Sequence, residues 1–140
     1  MKILVSACLL GENCKYDGGN NFSEKLRRLI EKTGAEVLGV CPEVLGGLPI
    51  PRIPSEMVDG KVMHKAGISV DAEFHAGAEN AFAQANTFAP DLVVLQSRSP
   101  SCGAKEIYDG TFSGKLISGK GVFATMMIAA GYHVIDAEEL

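Results

Sequence analysis

Residues 2–8 read Lys-Ile-Leu-Val-Ser-Ala-Cys, a short, branched apolar run that ends on a cysteine. Such a run suits a buried strand, Lys2–Ala7, and is too short for the apolar region of a signal peptide. Three later runs repeat the theme: Ala35–Val40, Asp91–Gln96 with its core Leu-Val-Val-Leu, and the shorter His133–Ile135. Helical spacing fills the gaps between them. Phe22, Leu26, Leu29 and Ile30 share one helix face, which Ser23 or the preceding asparagines can cap and Gly34 can end. From Val70 a second helix carries Phe74, Ala78, Ala81, Phe82 and Ala85 on one face, with Asp71 near its start to favour the helix dipole. Val122–Ala130 is apolar nearly all round and reads as a buried helix closed by Gly131.

Strands alternating with helices predict a parallel sheet flanked by helices. The expected fold is α/β: one domain over residues 1–140, a short, mostly parallel sheet of about four strands, and helices on both faces in a Rossmann or flavodoxin-like arrangement. Cys41–Pro54 holds four prolines and two adjacent glycines, so it is expected to contain neither helix nor central strand. Gly60, between Met57-Val58 and Val62-Met63, suggests a small hairpin, and Ser97–Gly121 reads as loop with a second hairpin around Gly110.

Composition narrows the function. The 140 residues carry a formal charge of −4, with 46% hydrophobic and 21% charged side chains. This is unlike a disordered chain, and no run reaches the roughly eighteen apolar residues of a membrane span. A mild acidic balance offers no footprint for a nucleic acid polymer or an anionic membrane. A compact cytoplasmic domain, monomer or homodimer, is expected.

Four cysteines are too few and too scattered for a disulfide scaffold, and in a reducing compartment their thiols stay free. Cysteine is ordinarily a packing residue. Here three share a topological address: Cys8 ends the first strand, Cys41 follows the second, and Cys102 lies in the loop after the third. In an open parallel sheet all three loops emerge at one edge, where ligands bind. Their sulfurs are expected to converge there. Cys14, six residues past Cys8, is near the site and open in role.

Four segments, SACLLGENCKYDG (6–18), CPEVLGGLPIPR (41–52), SRSPSCG (97–103) and YDGTFSGKLISGKGV (108–122), resemble the bacterial domain-of-unknown-function family 523 in family order. That family is represented by a thiouracil desulfidase, which removes sulfur from a thiolated uracil with a 4Fe–4S cluster. The resemblance implies cluster ligation by Cys8, Cys41 and Cys102, with one iron open for the substrate sulfur. It also implies catalytic partners in Glu43, within the CPE segment, and in Ser99 and Ser101, of which Ser101 adjoins Cys102. Lys15 departs from the pattern, since family members commonly carry Arg there.

The chemistry is coherent. Thiolates hold iron–sulfur clusters, a soft sulfur suits an exposed iron, and a nearby carboxylate can take and return a proton. The expected reaction is a non-redox desulfidation: sulfur binds the open iron and water attacks carbon. Serines in a Pro-Gly loop also satisfy their own turns. Two other readings compete: a structural or hydrolytic zinc protein of three Cys and one His, and a cluster-carrying or small-molecule-sensing module without turnover. His64, His75 and His133 show no metal spacing. Gly114–Gly121 approaches a phosphate-binding loop but lacks the Ser or Thr after Lys. Arg98 is a candidate for a substrate anion or an ordinary surface Arg.

Overall fold

The computed structural model describes residues 1–140. The chain runs β1 (Lys2–Ser6), α1 (Glu24–Thr33), β2 (Glu36–Val40), α2 (Pro42–Leu45), β3 (Ser55–Val58), β4 (Lys61–His64), α3 (Asp71–Phe88), β5 (Leu92–Leu95), β6 (Glu106–Tyr108), β7 (Leu116–Ser118), α4 (Val122–Ala129) and β8 (Val134–Asp136). Four strands form one parallel sheet in the order β2-β1-β5-β8, with Ile3 opposite both Val37 and Leu92. Its α/β character, parallel pairing and two-sided helix cover match the sequence expectation.

Alternation along the strands divides the core. Leu4, Val93 and Leu95 pack on one face with Phe74, Ala78, Ala81 and Ala85 of α3 and Phe123, Ala124 and Met127 of α4. Ile3, Val5 and Val94 face the other way, against Leu26 of α1. The ends of α1 follow the expected chemistry: Ser23 Oγ accepts the Leu26 amide at 3.1 Å, and Gly34 closes the helix in a left-handed conformation.

Three local expectations are corrected. Residues 35–40 read as a buried strand, yet β2 lies at the sheet edge and only its Val40 is fully buried. The proline-rich stretch does contain a helical turn, α2, because Pro42 occupies its first position, where a missing N–H costs nothing. Lastly, α4 is buried on one side only: Val122, Phe123, Ala124 and Met127 are covered, while Thr125 and Ile128 face solvent.

Both expected hairpins form, β3–β4 and β6–β7, outside the main sheet. Buried Glu56 joins them, accepting the Gly110 and Phe112 amides at 2.9 and 3.1 Å. Gly110 is required at this junction, since a Cβ there would lie 2.5 Å from the Met57 carbonyl oxygen. No helix is long and apolar enough to cross a membrane.

Candidate functional site

Because β2, β1 and β5 are neighbours, the segments leaving their carboxyl ends are neighbours too. The chain after β1 makes a 3-10 turn, Ala7–Leu10, that carries Cys8. Cys41 leaves β2 and caps α2, and Cys102 lies in the loop after β5. All three line one cavity of about 460 Å³, together with Cys14, Glu43, Ser99 and Ser101. Cys8, Cys14, Cys41, Cys102, Glu43, Ser99 and Ser101 are therefore brought together at this edge.

The thiols sit in low-dielectric surroundings. All four cysteines are free, and only Cys41 is more than marginally exposed. Burial pushes the Cys8, Cys14 and Cys102 thiols above the ordinary range. The Asn21 amide partly offsets this at Cys8, the Ser6 and Ser101 hydroxyls do so at Cys102, and neighbouring Cys41 adds to it at Cys14. Nowhere do three His, Cys, Asp or Glu side chains gather closely enough to hold a single metal ion.

Glu43 stands on the first turn of α2, and glycines set the position of that turn. A Cβ on Gly77 of α3 would lie 1.7 Å from the Pro42 carbonyl oxygen, and one on Gly46 would lie 1.9 Å from that of Glu73. The two backbones thus touch, which seats α2, the turn that Cys41 caps and Glu43 stands on, against α3. The carboxylate is bound on both sides: Oε1 pairs with Arg52 Nε at 3.1 Å, while Oε2 accepts from Ser101 Oγ at 2.8 Å and Ser99 Oγ at 3.5 Å.

The two serines divide their roles geometrically. Ser99 Oγ accepts the Ser101 and Cys102 amides at 3.1 and 3.0 Å, which folds the loop that presents Cys102. The two hydroxyls lie 2.9 Å apart and both reach Glu43 Oε2, Ser101 more closely than Ser99. Ser101 Oγ also lies 3.7 Å from Cys102 Sγ. A hydroxyl relay connects a carboxylate to the sulfur edge of the cavity.

Arg52 is the residue that sequence reasoning missed. Its side chain is 7% exposed, and it donates to Glu43, to the Cys14 carbonyl at 2.8 Å and to the Pro49 carbonyl at 3.2 Å. The available signal was a single charge in the apolar, proline-rich run Leu48–Pro54. Other candidates fall elsewhere. Arg98 reaches the cavity rim but pairs with Glu138 at 2.9 Å. None of the three histidines lines the cavity, and His75 lies 3.5 Å from Asp71. The glycine-rich segment 114–121 is spent on β7 and the turn into α4.

Comparison with known proteins gives a consistent set of relatives. A family model described as 2-thiouracil desulfurase matches residues 3–139. The chain is 41% identical over 148 residues to the uncharacterized protein YbbK of Bacillus subtilis (strain 168), covering 99% of this chain and 97% of that one. Among solved structures it is similar to the 4Fe–4S-dependent thiouracil desulfidase TudS, with a TM-score of 0.91 and 37% identity over 99% of this chain and 92% of the other.

Proposed function

The chain belongs to the 2-thiouracil desulfurase family, and on that premise we propose that it is a 4Fe–4S-dependent desulfidase in which Cys8, Cys41 and Cys102 hold the cluster. Its substrate is a thiolated nucleobase such as thiouracil, or a related small thio-compound. One observation carries the assignment: three thiols from three different loops line a single cavity that also holds a carboxylate–serine pair. The volume lies in the range of small-molecule sites. The donor set fits a cluster better than zinc. The cavity offers cysteine thiols, the usual ligands of an iron–sulfur cluster, and none of the histidines that a three-Cys, one-His zinc site would need.

When bound, the cluster supplies an open iron, a soft Lewis acid for the substrate sulfur. The protein's own groups do the rest. Glu43 takes the proton of the attacking water at Oε2, since Oε1 is engaged by Arg52. Ser101, between that oxygen and Cys102, orients the water and carries the proton onward to the departing sulfide or to the ring nitrogen. Ser99 holds Ser101 and the Cys102 loop in place. The net change is hydrolysis of carbon–sulfur to carbon–oxygen with release of sulfide. We place the enzyme in the cytoplasm, as monomer or homodimer, where free thiols persist.

The test is anaerobic purification or reconstitution, with iron, sulfide and zinc analysis followed by a thiouracil desulfidation assay. About four irons and four sulfides per chain, with uracil and sulfide as products, are expected. Stoichiometric zinc without sulfide would overturn the assignment, and a loaded cluster without turnover would leave a carrier or sensor.

A further inference from the structure

Asn21 touches Cys8 twice. Its backbone N–H donates to the Cys8 carbonyl at 3.0 Å, and its side-chain Nδ2 donates to Cys8 Sγ at 3.4 Å. The chain on either side is held as well: Gly11 donates to the same carbonyl at 3.2 Å, and Ser23 donates to the Leu9 carbonyl at 3.0 Å. The segment returning from the glycine-rich loop therefore runs beside the 3-10 turn, and the amide reaches the sulfur from a backbone already fixed. The other two thiols are partnered differently, Cys102 by a hydroxyl donor and Cys41 by a carbonyl acceptor. Cys102 Sγ faces the Ser101 hydroxyl at 3.7 Å, and Cys41 donates to the Cys14 carbonyl at 3.8 Å.

A sulfur that ligates iron has lost its proton, so only a donor is a favourable neighbour for it. We propose that Asn21 is a positioning residue whose amide N–H holds the Cys8 sulfur and raises the reduction potential of the cluster bound there, a role that rests on the cluster assignment above. The positive end of an N–H dipole favours the more electron-rich state of the cluster. Hydrogen bonds to ligand sulfurs are among the levers that set cluster potentials.

The experiment measures iron and sulfide content and midpoint potential, by mediated titration at the cluster's visible band, in the parent, Asn21→Leu, Asn21→Asp and Asn20→Asp. Asn20 donates to Asn13 instead of to a sulfur, so its variant adds a nearby charge without removing the bond. Full cluster content is expected throughout. The potential is expected to become more negative in Asn21→Leu and more so in Asn21→Asp, with a smaller shift in Asn20→Asp. Parent-like potentials in both Asn21 variants would overturn the proposal, as would equal shifts in Asn20→Asp and Asn21→Asp. Folded Asn21 variants that lose iron would make Asn21 a clamp of the loop rather than a tuner of the cofactor. A parent without iron and sulfide would sink the cluster assignment itself, and this proposal with it.

Discussion

Glu43 draws its contacts from two other parts of the chain, Arg52 on one oxygen and the Ser99–Ser101 loop on the other. Replacement by Gln keeps the size of the side chain and removes its capacity to carry a proton. Glu43→Gln is therefore expected to retain iron and sulfide while losing about 100- to 10,000-fold in turnover, the usual contribution of a positioned acid–base group. Thiouracil desulfidation measured beside the visible band checks this, and parent-like turnover would return Glu43 to an ordinary loop role. Cys102→Ala is expected to behave oppositely, losing the cluster or keeping a damaged form, as iron analysis would show. Arg52→Gln leaves a largely buried carboxylate without its charge partner, held by the serine hydroxyls alone, and takes the guanidinium donor from the Cys14 carbonyl. A loss of stability on the order of 3 kcal/mol is expected from urea unfolding, and Arg52→Lys recovers only part of it because an ammonium cannot serve all three acceptors in place of the guanidinium fork. The shared address of Cys8, Cys41 and Cys102 was legible in sequence because each follows an apolar run, whereas Glu43 stood out only through the family resemblance of its CPE segment. Arg52 and Asn21 were not legible, since each reaches the cavity only when a loop folds back, and no periodicity records that.

One helical turn, α2, decides where two of these residues stand. Its existence was obscured by the prolines around it, although Pro42 is at the one helical position that tolerates it. The glycines that seat it were equally silent, because a close approach between segments distant in sequence leaves no local pattern. Gly77→Ala tests the contact with a diagnostic sign. In an exposed helix interior this change stabilises by up to about 1 kcal/mol. Here the added methyl meets a carbonyl oxygen, so α2 must move and take Cys41 and Glu43 with it. Iron per chain and activity are expected to fall while far-UV circular dichroism stays helical, and full loading would show that the turn is not positioned this way. Ser23→Ala provides the contrast. It removes the α1 cap at a cost of about 1 kcal/mol, with cluster content unchanged. The edge position of β2 also escaped the sequence, since an apolar run does not say whether both of its sides are paired.

Across the whole molecule the alternation of strand and helix was legible, and with it the edge at which the loops gather. The core on the two sheet faces is built mainly from side chains remote from the cavity, such as Phe74, Leu26 and Val94. Removing the cluster with a chelator is therefore expected to lower the melting temperature, because a group bound only by the folded state stabilises it, yet to leave far-UV circular dichroism near that of the parent. Collapse of secondary structure on chelation would show instead that the cluster organises the fold. The order of the strands carries one more consequence. Cys8 and Cys41 leave the ribosome early, but Cys102 follows only after α3 and β5 have been made, and β5 must then settle beside β1. A nascent chain stalled before that strand owns two of the three thiols and no cavity to put them in. Maturation of this protein is thus a handover to a finished chain: whatever machinery donates the iron and sulfide has to meet a folded pocket.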